Sequence, residues 1–356
     1  MRKFYLDNIK WATVVLVMIY HVFYVFNASG VLGGIGSFGD VQYQDGFLYF
    51  VYPWFMVLLF VISGISARYA LDKLSAKEFI GKRTWKLLVP STLGLFVYQW
   101  IVGYFNIKDG GGLEYMPSFI VYPVSALSGT GPLWYAQLLW LYSLIIILIR
   151  KFDKKDSLWK LGEKCNFIIL PLFALVIWGS SYILNMPILT MYRFGIYLAA
   201  FLLGYFVFSH DNVQERLVKM CVPMLVISVV MGIIYVPYYF GQSYADDSVL
   251  QSLFTNVYAW FMVLAILGCG KKWFDKQNKF SAYMTRISYG LYVLHYTFII
   301  IPCYYLKSFT TLPIWLIYVL ALLAVLVCTP IWYEVISRIP VIRCLVLGIR
   351  KKKVAK

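Results

Sequence analysis

The chain has 356 residues, of which 61% are hydrophobic and only 13% are charged, and its mean hydropathy is +0.73. Soluble domains use roughly 45–50% apolar and 25% charged residues, so this composition excludes an ordinary soluble protein. The formal net charge of +16 leaves two interpretations open: a nucleic-acid partner, or the lysine and arginine excess that membrane proteins carry on cytoplasmic loops.

Ten segments are apolar and long enough to cross a membrane, for which about 20 residues are needed. They predict an all-α integral membrane bundle of about ten transmembrane helices, forming a single domain over residues 1–356 with no fused soluble domain. The predicted spans run approximately from Ile9 to Phe26, Phe47 to Tyr69, Leu87 to Phe105, Pro132 to Ile149, Phe167 to Leu184, Tyr192 to Phe208, Leu217 to Phe240, Gln251 to Gly268, Arg286 to Leu306 and Leu312 to Glu334.

The basic residues are distributed unequally between the two sides that these ten spans define. One side holds 29 of the 32 lysines and arginines, and the other holds only Lys108, Arg193 and Lys307. Loops rich in lysine and arginine stay in the cytoplasm, so both termini are predicted to be cytoplasmic. This distribution explains the net charge without any nucleic-acid partner.

The six cysteines show no CxxC pair, and no histidine lies at ligand spacing from them. Neither a disulfide framework nor a zinc site is therefore indicated, and we expect no metal.

The first predicted helix carries ionisable residues on one face. His21 follows Lys10 by eleven residues, which at 100° per residue amounts to three turns plus 20°, and Asp7 precedes Lys10 by three. Charged groups inside a membrane are costly, so an ionisable residue within a span is a functional candidate by default. The alternative is an amphipathic entry turn followed by a structural histidine that hydrogen-bonds a neighbouring helix.

His295 is the second histidine predicted at mid-membrane depth. Ser288 and Tyr292 precede it by seven and three residues and form a polar stripe with it. Two interpretations are open, a structural histidine satisfied by hydrogen bonds and a residue that positions substrate. His210 lies beside Asp211 in a predicted cytoplasmic loop and is expected to be solvated.

Five sequence strings resemble, in order, the motifs of the acyltransferase 3 family of bacterial membrane acyltransferases. The resemblance covers essentially the whole chain, although the family usually has arginine where this sequence has Lys10 and Lys86. The strings are Tyr5-Leu6-Asp7-Asn8-Ile9-Lys10 followed by His21, Phe60-Val61-Ile62-Ser63-Gly64, Lys82-Arg83-Thr84-Trp85-Lys86 leading to Pro90, Gly131-Pro132-Leu133-Trp134-Tyr135, and Ile287-Ser288-Tyr289-Gly290-Leu291-Tyr292-Val293-Leu294-His295.

The resemblance implies transfer of an acyl group, commonly acetyl, from cytoplasmic acyl-CoA to a hydroxyl of a cell-envelope saccharide. His21 is then expected to be the general base, or to carry a transient acyl group, and Asp7 and His295 are the other catalytic candidates. Lys10, Arg83 and Lys86 are expected to bind the CoA phosphates. The partners are thus acyl-CoA, a membrane-proximal or lipid-linked saccharide and the lipid bilayer, and the expected location is the bacterial plasma membrane.

The sequence says less about which residues bind the acceptor. Ser63, Trp134, Tyr135 and Arg193 are the substrate-binding candidates. Trp134 and Tyr135 either stack on sugar rings or serve as interfacial anchors, and Arg193 either pairs with an outer carboxylate or contacts an acceptor phosphate. The glycine-rich loops from Asn27 to Gly46 and from Asn106 to Gly131 are candidate mobile lids.

A multi-span transporter or flippase for a lipid-linked glycan or small anion is the alternative function. Intramembrane histidines and segments interrupted by Pro53, Pro132 and Pro302 suit such a protein. Against it, the sequence shows no pair of interrupted helices in corresponding halves, the pattern typical of inverted-repeat transporters.

Overall fold

The structure is a computed structural model, and it describes residues 3–31, 34–186 and 192–350. Within these ranges the chain consists of helices and their connections without a β-strand, and one isolated bridge joins Asn185 to Arg193. The predicted all-α class is therefore confirmed. Five residues of the predicted cytoplasmic basic set lie outside the described ranges: Arg2, Lys351, Lys352, Lys353 and Lys356.

Thirteen principal helices follow one another along the described chain. The third is one continuous helical segment that contains two π-helical stretches, Thr84–Leu88 and Leu95–Gln99. The bounds are α1 Phe4–Tyr24, α2 Gly46–Leu71, α3 Ala76–Asp109, α4 Ser118–Ser128, α5 Trp134–Phe152, α6 Ile169–Ser180, α7 Phe194–Phe206, α8 Asp211–Tyr239, α9 Leu253–Trp273, α10 Lys279–Leu294, α11 Thr297–Phe309, α12 Ile314–Arg338 and α13 Pro340–Leu347, with shorter helices at Ser157–Glu163 and Asp247–Leu250.

Every predicted span coincides with one of these helices or with the pair α10 and α11. Seven helices of the described chain are long and apolar enough to cross a membrane, and α10 with α11, bent by 52°, makes an eighth if the pair is one span. The helices α6 and α7 have only 12 and 13 residues, or about 18 and 20 Å, against a hydrocarbon core of roughly 30 Å. The chain is a multi-pass membrane protein. Its described residues contain seven or eight spans by this criterion, so the predicted count of ten is not confirmed.

The segment from Asn106 to Gly131 is not an extended glycine-rich lid. Its second half forms α4, which packs closely against α3: a Cβ atom on Gly103 would lie 1.8 Å from the Ser125 carbonyl oxygen, and one on Gly129 would lie 2.2 Å from the Gln99 carbonyl oxygen. Small residues allow such backbone approach between helices. Residues 118–128 therefore belong to the helical body of the protein.

Side-chain contacts join the loops that the charge pattern assigns to one side. At the predicted cytoplasmic end, Arg68 bonds Asp156 at 3.0 and 3.2 Å, and Lys3 bonds Asp211. At the opposite end, Lys307 donates to the carbonyl oxygen of Ile35 at 2.7 Å. The bundle thus has two ends that match the predicted partition, and the assignment of one end to the cytoplasm stays a prediction from the basic residues.

The helices α2 and α7 pack closely, backbone against backbone, beside the site described below. A Cβ atom on Gly64 would lie 2.0 Å from the Phe201 carbonyl oxygen, and one on Gly204 would lie 2.1 Å from the Val61 carbonyl oxygen. Lipid provides no hydrophobic drive for helix association, so close van der Waals packing of this kind is a main source of stability. The two glycines fix the distance between α2 and α7.

Replacing Gly64 by alanine is therefore expected to destabilise the protein. The added methyl group meets backbone rather than a movable side chain, and overpacking of this kind costs about 1–3 kcal/mol. The midpoint of thermal unfolding in detergent should fall by several degrees. The matched control is Gly81→Ala, where a Cβ atom meets nothing within 4 Å, and equal midpoints for the two variants would contradict this account of the packing.

Candidate active site

Two histidines from distant parts of the chain meet inside the bundle. His21 occupies the last turn of α1, and His295 lies at the break between α10 and α11. The Nε2 atom of His295 lies 3.2 Å from Nδ1 of His21, and the ring centroids are 5.0 Å apart. His295 is completely buried, whereas His21 is partly exposed and lines a cavity. Of the two imidazoles, His21 is the one that a substrate can reach.

The break after α10 brings His295 to this position. The Nδ1 atom of His295 bonds the carbonyl oxygen of Tyr292 at 2.7 Å, and the following helix departs at 52°. Sharp kinks arise where a side chain enters the backbone hydrogen-bond ladder of a helix. The imidazole thus contributes to the bend that places it against His21.

The surrounding carbonyl groups determine which nitrogens carry protons. A carbonyl oxygen only accepts hydrogen bonds, so Nδ1 of His295 donates to Tyr292 and its Nε2 keeps a lone pair. That lone pair accepts from Nδ1 of His21, which also faces the Val17 carbonyl oxygen at 2.8 Å. With Nδ1 protonated, the lone pair of neutral His21 resides on Nε2.

His21 lines an outer cavity of about 710 Å³, which reaches the end of the bundle opposite the Lys3 and Arg68 contacts. Aromatic side chains form much of its wall. The predicted candidate Trp134 is among them and stacks on Tyr197 with ring centroids 5.3 Å apart. The other aromatic residues of this outer cavity are Tyr20, Tyr24, Tyr52, Phe55, Tyr292 and Tyr296.

A second, inner cavity of about 250 Å³ opens from the basic end of the bundle. Among the described residues that line it, four are cationic and none is a carboxylate. Two of the predicted substrate-binding residues also lie here, since Ser63 and Tyr135 share a hydrogen bond of 2.8 Å in its wall. The four cations of the inner cavity are Lys10, Lys82, Arg83 and Lys86.

The two cavities meet at Tyr292, which lines both of them. Its hydroxyl donates to the carbonyl oxygen of Pro132, and its ring contacts Tyr135 with centroids 5.3 Å apart. The inner cavity therefore approaches the outer one at a constriction of aromatic side chains beside the histidine pair.

A π-helical stretch places the cations of α3. Arg83 lies immediately before Thr84–Leu88, and Lys86 lies within it. A π-helix turns through fewer degrees per residue than an α-helix, so it changes which side chains face the cavity, and such stretches occur often at functional sites. Trp140 of α5 donates to the Thr84 hydroxyl at 2.9 Å and holds this stretch against α5.

Asp7, Arg193 and His210 line neither the outer nor the inner cavity. Asp7 is fourteen residues before His21 on the same helix, about 21 Å along the axis, and lines a different cavity. Arg193 is buried and donates to the Leu250 carbonyl oxygen at 3.1 Å, with no ion pair to a carboxylate of the described chain. The expected solvation of His210 is wrong, because the ring is buried, stacks on Trp159 at 3.9 Å, and has its pKa lowered by burial.

Several residues of the site carried no signal in the sequence. Tyr24, Tyr52, Tyr197, Tyr296 and Asn106 line the outer cavity with His21. They come from four different helices and from the break after α10, and tyrosines near span ends are ordinary interfacial anchors. Their grouping depends on helix packing, which spacing along a single helix does not reveal.

The described residues contain no group of three histidine, cysteine, aspartate or glutamate side chains that could hold a metal ion. The groups available for chemistry at the meeting point of the cavities are the two imidazoles and the tyrosine hydroxyls.

Comparison with protein families agrees with the motifs around His21, Arg83 and His295. Residues 3–333 match the model of the acyltransferase 3 family, described as an acyltransferase domain. The match covers nearly the whole chain, and the protein therefore belongs to this family of acyltransferases. No curated protein and no solved structure matches the chain significantly.

Proposed function

We propose that this acyltransferase moves an acyl group, acetyl in the first instance, from cytoplasmic acyl-CoA to a hydroxyl of a cell-envelope saccharide, with His21 as the general base. The observation that carries the proposal is the pair of cavities that open at opposite ends and approach each other beside His21. A donor and an acceptor from opposite sides of a membrane can react only at such a meeting point.

The inner cavity supports a phosphate-bearing donor. Four cations surround a small space without a carboxylate among its described lining residues. Arginine binds phosphate through paired hydrogen bonds and lysine binds it as a point charge, so the CoA phosphates suit Arg83 together with Lys10 and Lys86.

The distance from these cations to His21 favours acyl-CoA over a compact donor. His21 follows Lys10 by eleven residues on the uninterrupted helix α1, about 16 Å along its axis. An acyl phosphate holds its carbonyl carbon next to the phosphate and cannot bridge this separation. In acyl-CoA the pantetheine arm lies between the phosphates and the thioester, and it can pass the constriction at Tyr292.

The reaction at His21 is written as follows. The Nε2 lone pair takes the proton of the acceptor hydroxyl while the oxygen attacks the thioester carbonyl carbon. Collapse of the tetrahedral intermediate breaks the carbon–sulfur bond, and the leaving thiolate takes the proton from the imidazolium. The products are the ester and free CoA. An alternative route forms an acyl group on Nε2 first and uses the same nitrogen twice; rapid quenching followed by mass spectrometry separates the two routes.

We infer the orientation from the basic residues. The end that carries the inner cavity faces the cytoplasm of a bacterial cell, with both termini on that side, and the outer cavity faces the cell envelope. The acceptor is then a membrane-proximal or lipid-linked saccharide that enters from outside.

Transport is the competing function, because the broken helix formed by α10 and α11 is a feature that transporters also use at their substrate sites. Liposomes that contain the protein, with labelled acetyl-CoA on one side and envelope glycan on the other, separate the two. Label on the glycan supports acyl transfer. Movement of glycan or acetate without CoA would instead favour transport.

Replacing Arg83 by alanine is expected to raise the KM for acyl-CoA by about 10- to 100-fold, because a hydrogen bond to a charged group contributes about 1.5–3 kcal/mol. The value of kcat at saturating donor should change little, since Arg83 lies in the inner cavity and does not touch the reacting atoms. Steady-state kinetics with labelled acetyl-CoA measure both constants. The control is Lys77→Ala, an exposed cation on the same helix, and the same KM in both variants would refute the donor site.

A further inference from the structure

The outer cavity contains no cation among its described lining residues. Its ionisable groups other than tyrosines are His21 and Asp109, and Asp109 is exposed at the rim. The undescribed residues 32–33 and 187–191 carry no ionisable side chain either. The outer cavity thus differs sharply in charge from the inner cavity with its four cations.

None of the three cations at this end of the bundle, Lys108, Arg193 and Lys307, is among the described residues that line the outer cavity. Arg193 lies behind its wall, where it bonds the Leu250 carbonyl oxygen and the hydroxyl of the lining residue Tyr197. Lys108 lies over the ring of Tyr304 at 5.1 Å. Lys307 donates to the carbonyl oxygens of Ile35 and Gly36 at 2.7 and 2.9 Å. An anionic group near His21 would therefore lose its hydration without direct contact with a cationic lining residue, which is unfavourable.

Two neutral amides in or beside the cavity wall have unused hydrogen-bonding capacity. The Oδ1 atom of Asn106, a lining residue, is buried and makes no hydrogen bond within the described chain. Both side-chain polar atoms of Gln99, which is 0% exposed, likewise lack a described partner. The Nε2 atom of Gln99 lies 3.1 Å from the position of a Cβ atom on the lining residue Gly131.

The unused amide groups of Asn106 and Gln99 suit hydroxyl groups as hydrogen-bond partners. A hydroxyl both donates and accepts, so it can satisfy the Oδ1 atom of Asn106 and either end of the Gln99 amide. Gln99 ends the second π-helical stretch of α3, a local geometry that is frequent at functional sites. The same cavity is lined by a stacked aromatic pair, Trp134 and Tyr197, and aromatic side chains of this kind suit the apolar face of a sugar ring.

A cationic ligand fits less well than a neutral one. The rings of the cavity attract cations in principle, but the only carboxylate among the described lining residues is Asp109 at the solvent-exposed rim. An ammonium group beside His21 would be separated from the Asp109 carboxylate and would lie next to two imidazoles.

We propose that the outer cavity binds an uncharged, polyhydroxylated unit of the acceptor, such as a neutral hexose, and excludes both anionic and cationic sugars from the position beside His21. This inference rests on the proposed function, since it describes the acceptor of that reaction. Gln99 and Asn106 are the residues that recognise the hydroxyl groups. Any phosphate of a lipid-linked acceptor stays outside the outer cavity.

The charge preference can be measured without knowing the acceptor. A cysteine introduced as Ser128→Cys, in the cavity wall, is treated in reconstituted protein with neutral, anionic and cationic methanethiosulfonate reagents of similar size. Rates are followed by mass spectrometry, with the wild type as background for its native thiols. Tyr115 is 87% exposed at the same end, so the rate at Tyr115→Cys measures the intrinsic reactivity of each reagent. The corrected rate is the rate at Ser128→Cys divided by the rate at Tyr115→Cys.

The corrected rate of the neutral reagent is expected to exceed that of either charged reagent by at least tenfold. Adding Asn106→Lys to Ser128→Cys should raise the corrected rate of the anionic reagent by at least tenfold. Equal corrected rates for the three reagents, or an anionic rate unaffected by the added lysine, would overturn the proposal. Ser37→Cys, also in the cavity wall, serves if Ser128→Cys does not fold.

Protection by sugars tests the ligand class directly. Maltotriose is expected to slow modification of the Ser128→Cys thiol by the neutral reagent at least threefold, whereas trigalacturonate and a glucosamine trimer at the same concentration should not. No protection by maltotriose, or equal protection by a charged trimer, would overturn the inference. None of these measurements requires turnover. A result that overturns the inference about the outer cavity is therefore distinct from an absence of acyl transfer in the liposome assay.

Discussion

Replacing His21 by alanine is expected to abolish acyl transfer while leaving an inserted, folded protein. His21 is the imidazole that lines the outer cavity, and its Nε2 lone pair is the base in the proposed reaction. General-base catalysis contributes about 10²- to 10⁴-fold, so the rate at saturating acetyl-CoA should fall at least a hundredfold. Transfer of label from acetyl-CoA to glycan in liposomes measures this rate.

The control for this variant is His210→Ala. His210 is also buried but stacks on Trp159 beside the separate cavity that Asp7 lines, away from the outer and inner cavities. Rates are expressed per folded protein, determined from the thermal transition of each preparation. A His21→Ala protein that transfers label at the wild-type rate would remove His21 from the mechanism, and an equal loss in His210→Ala would indicate a general structural effect.

The first helix shows what helical periodicity alone can predict. Lys10 and His21 were predicted to share a face of a single helix, and α1 runs uninterrupted from Phe4 to Tyr24. The structure adds that the two residues line different cavities. Helical spacing predicts a shared face because it depends only on local geometry. Which space each part of that face meets depends on the other helices.

The pairing of His21 with His295 lay beyond sequence reasoning for a physical reason. The two residues are 274 positions apart, and their contact requires the bend between α10 and α11. The sequence Tyr292-Val293-Leu294-His295 contains neither proline nor glycine, so the usual signals of a helix break are absent. The bend is associated with the hydrogen bond from His295 to the Tyr292 carbonyl oxygen, which composition does not predict.

The basic residues show what a count of charges predicts and what it leaves open. Counting lysines and arginines separated two sides, and the cations Lys10, Arg83 and Lys86 lie together in the inner cavity. Arg193, singled out because it is isolated on the outer side, is bonded to the Leu250 carbonyl oxygen inside the bundle. An isolated charge in sequence does not reveal whether its partner is a ligand or a backbone carbonyl.

Replacing His295 tests whether it positions His21 for catalysis. His295 is fully buried and contacts His21 rather than either cavity, so it acts through the hydrogen bond that fixes the Nδ1 proton of His21. His295→Phe removes the acceptor while filling the space. Loss of a partner that orients a functional histidine costs about 10- to 100-fold in metal sites, and we expect a comparable fall in kcat here.

A second substitution separates positioning from simple structural support. In His295→Gln the side-chain amide oxygen can still accept from Nδ1 of His21, so kcat should recover to within about tenfold of the wild type. The KM for acyl-CoA should stay near its wild-type value in both variants, because the cations of the inner cavity are untouched. Equal loss of kcat in the two variants, or a rise in KM with kcat unchanged, would show that His295 supports the fold without orienting His21.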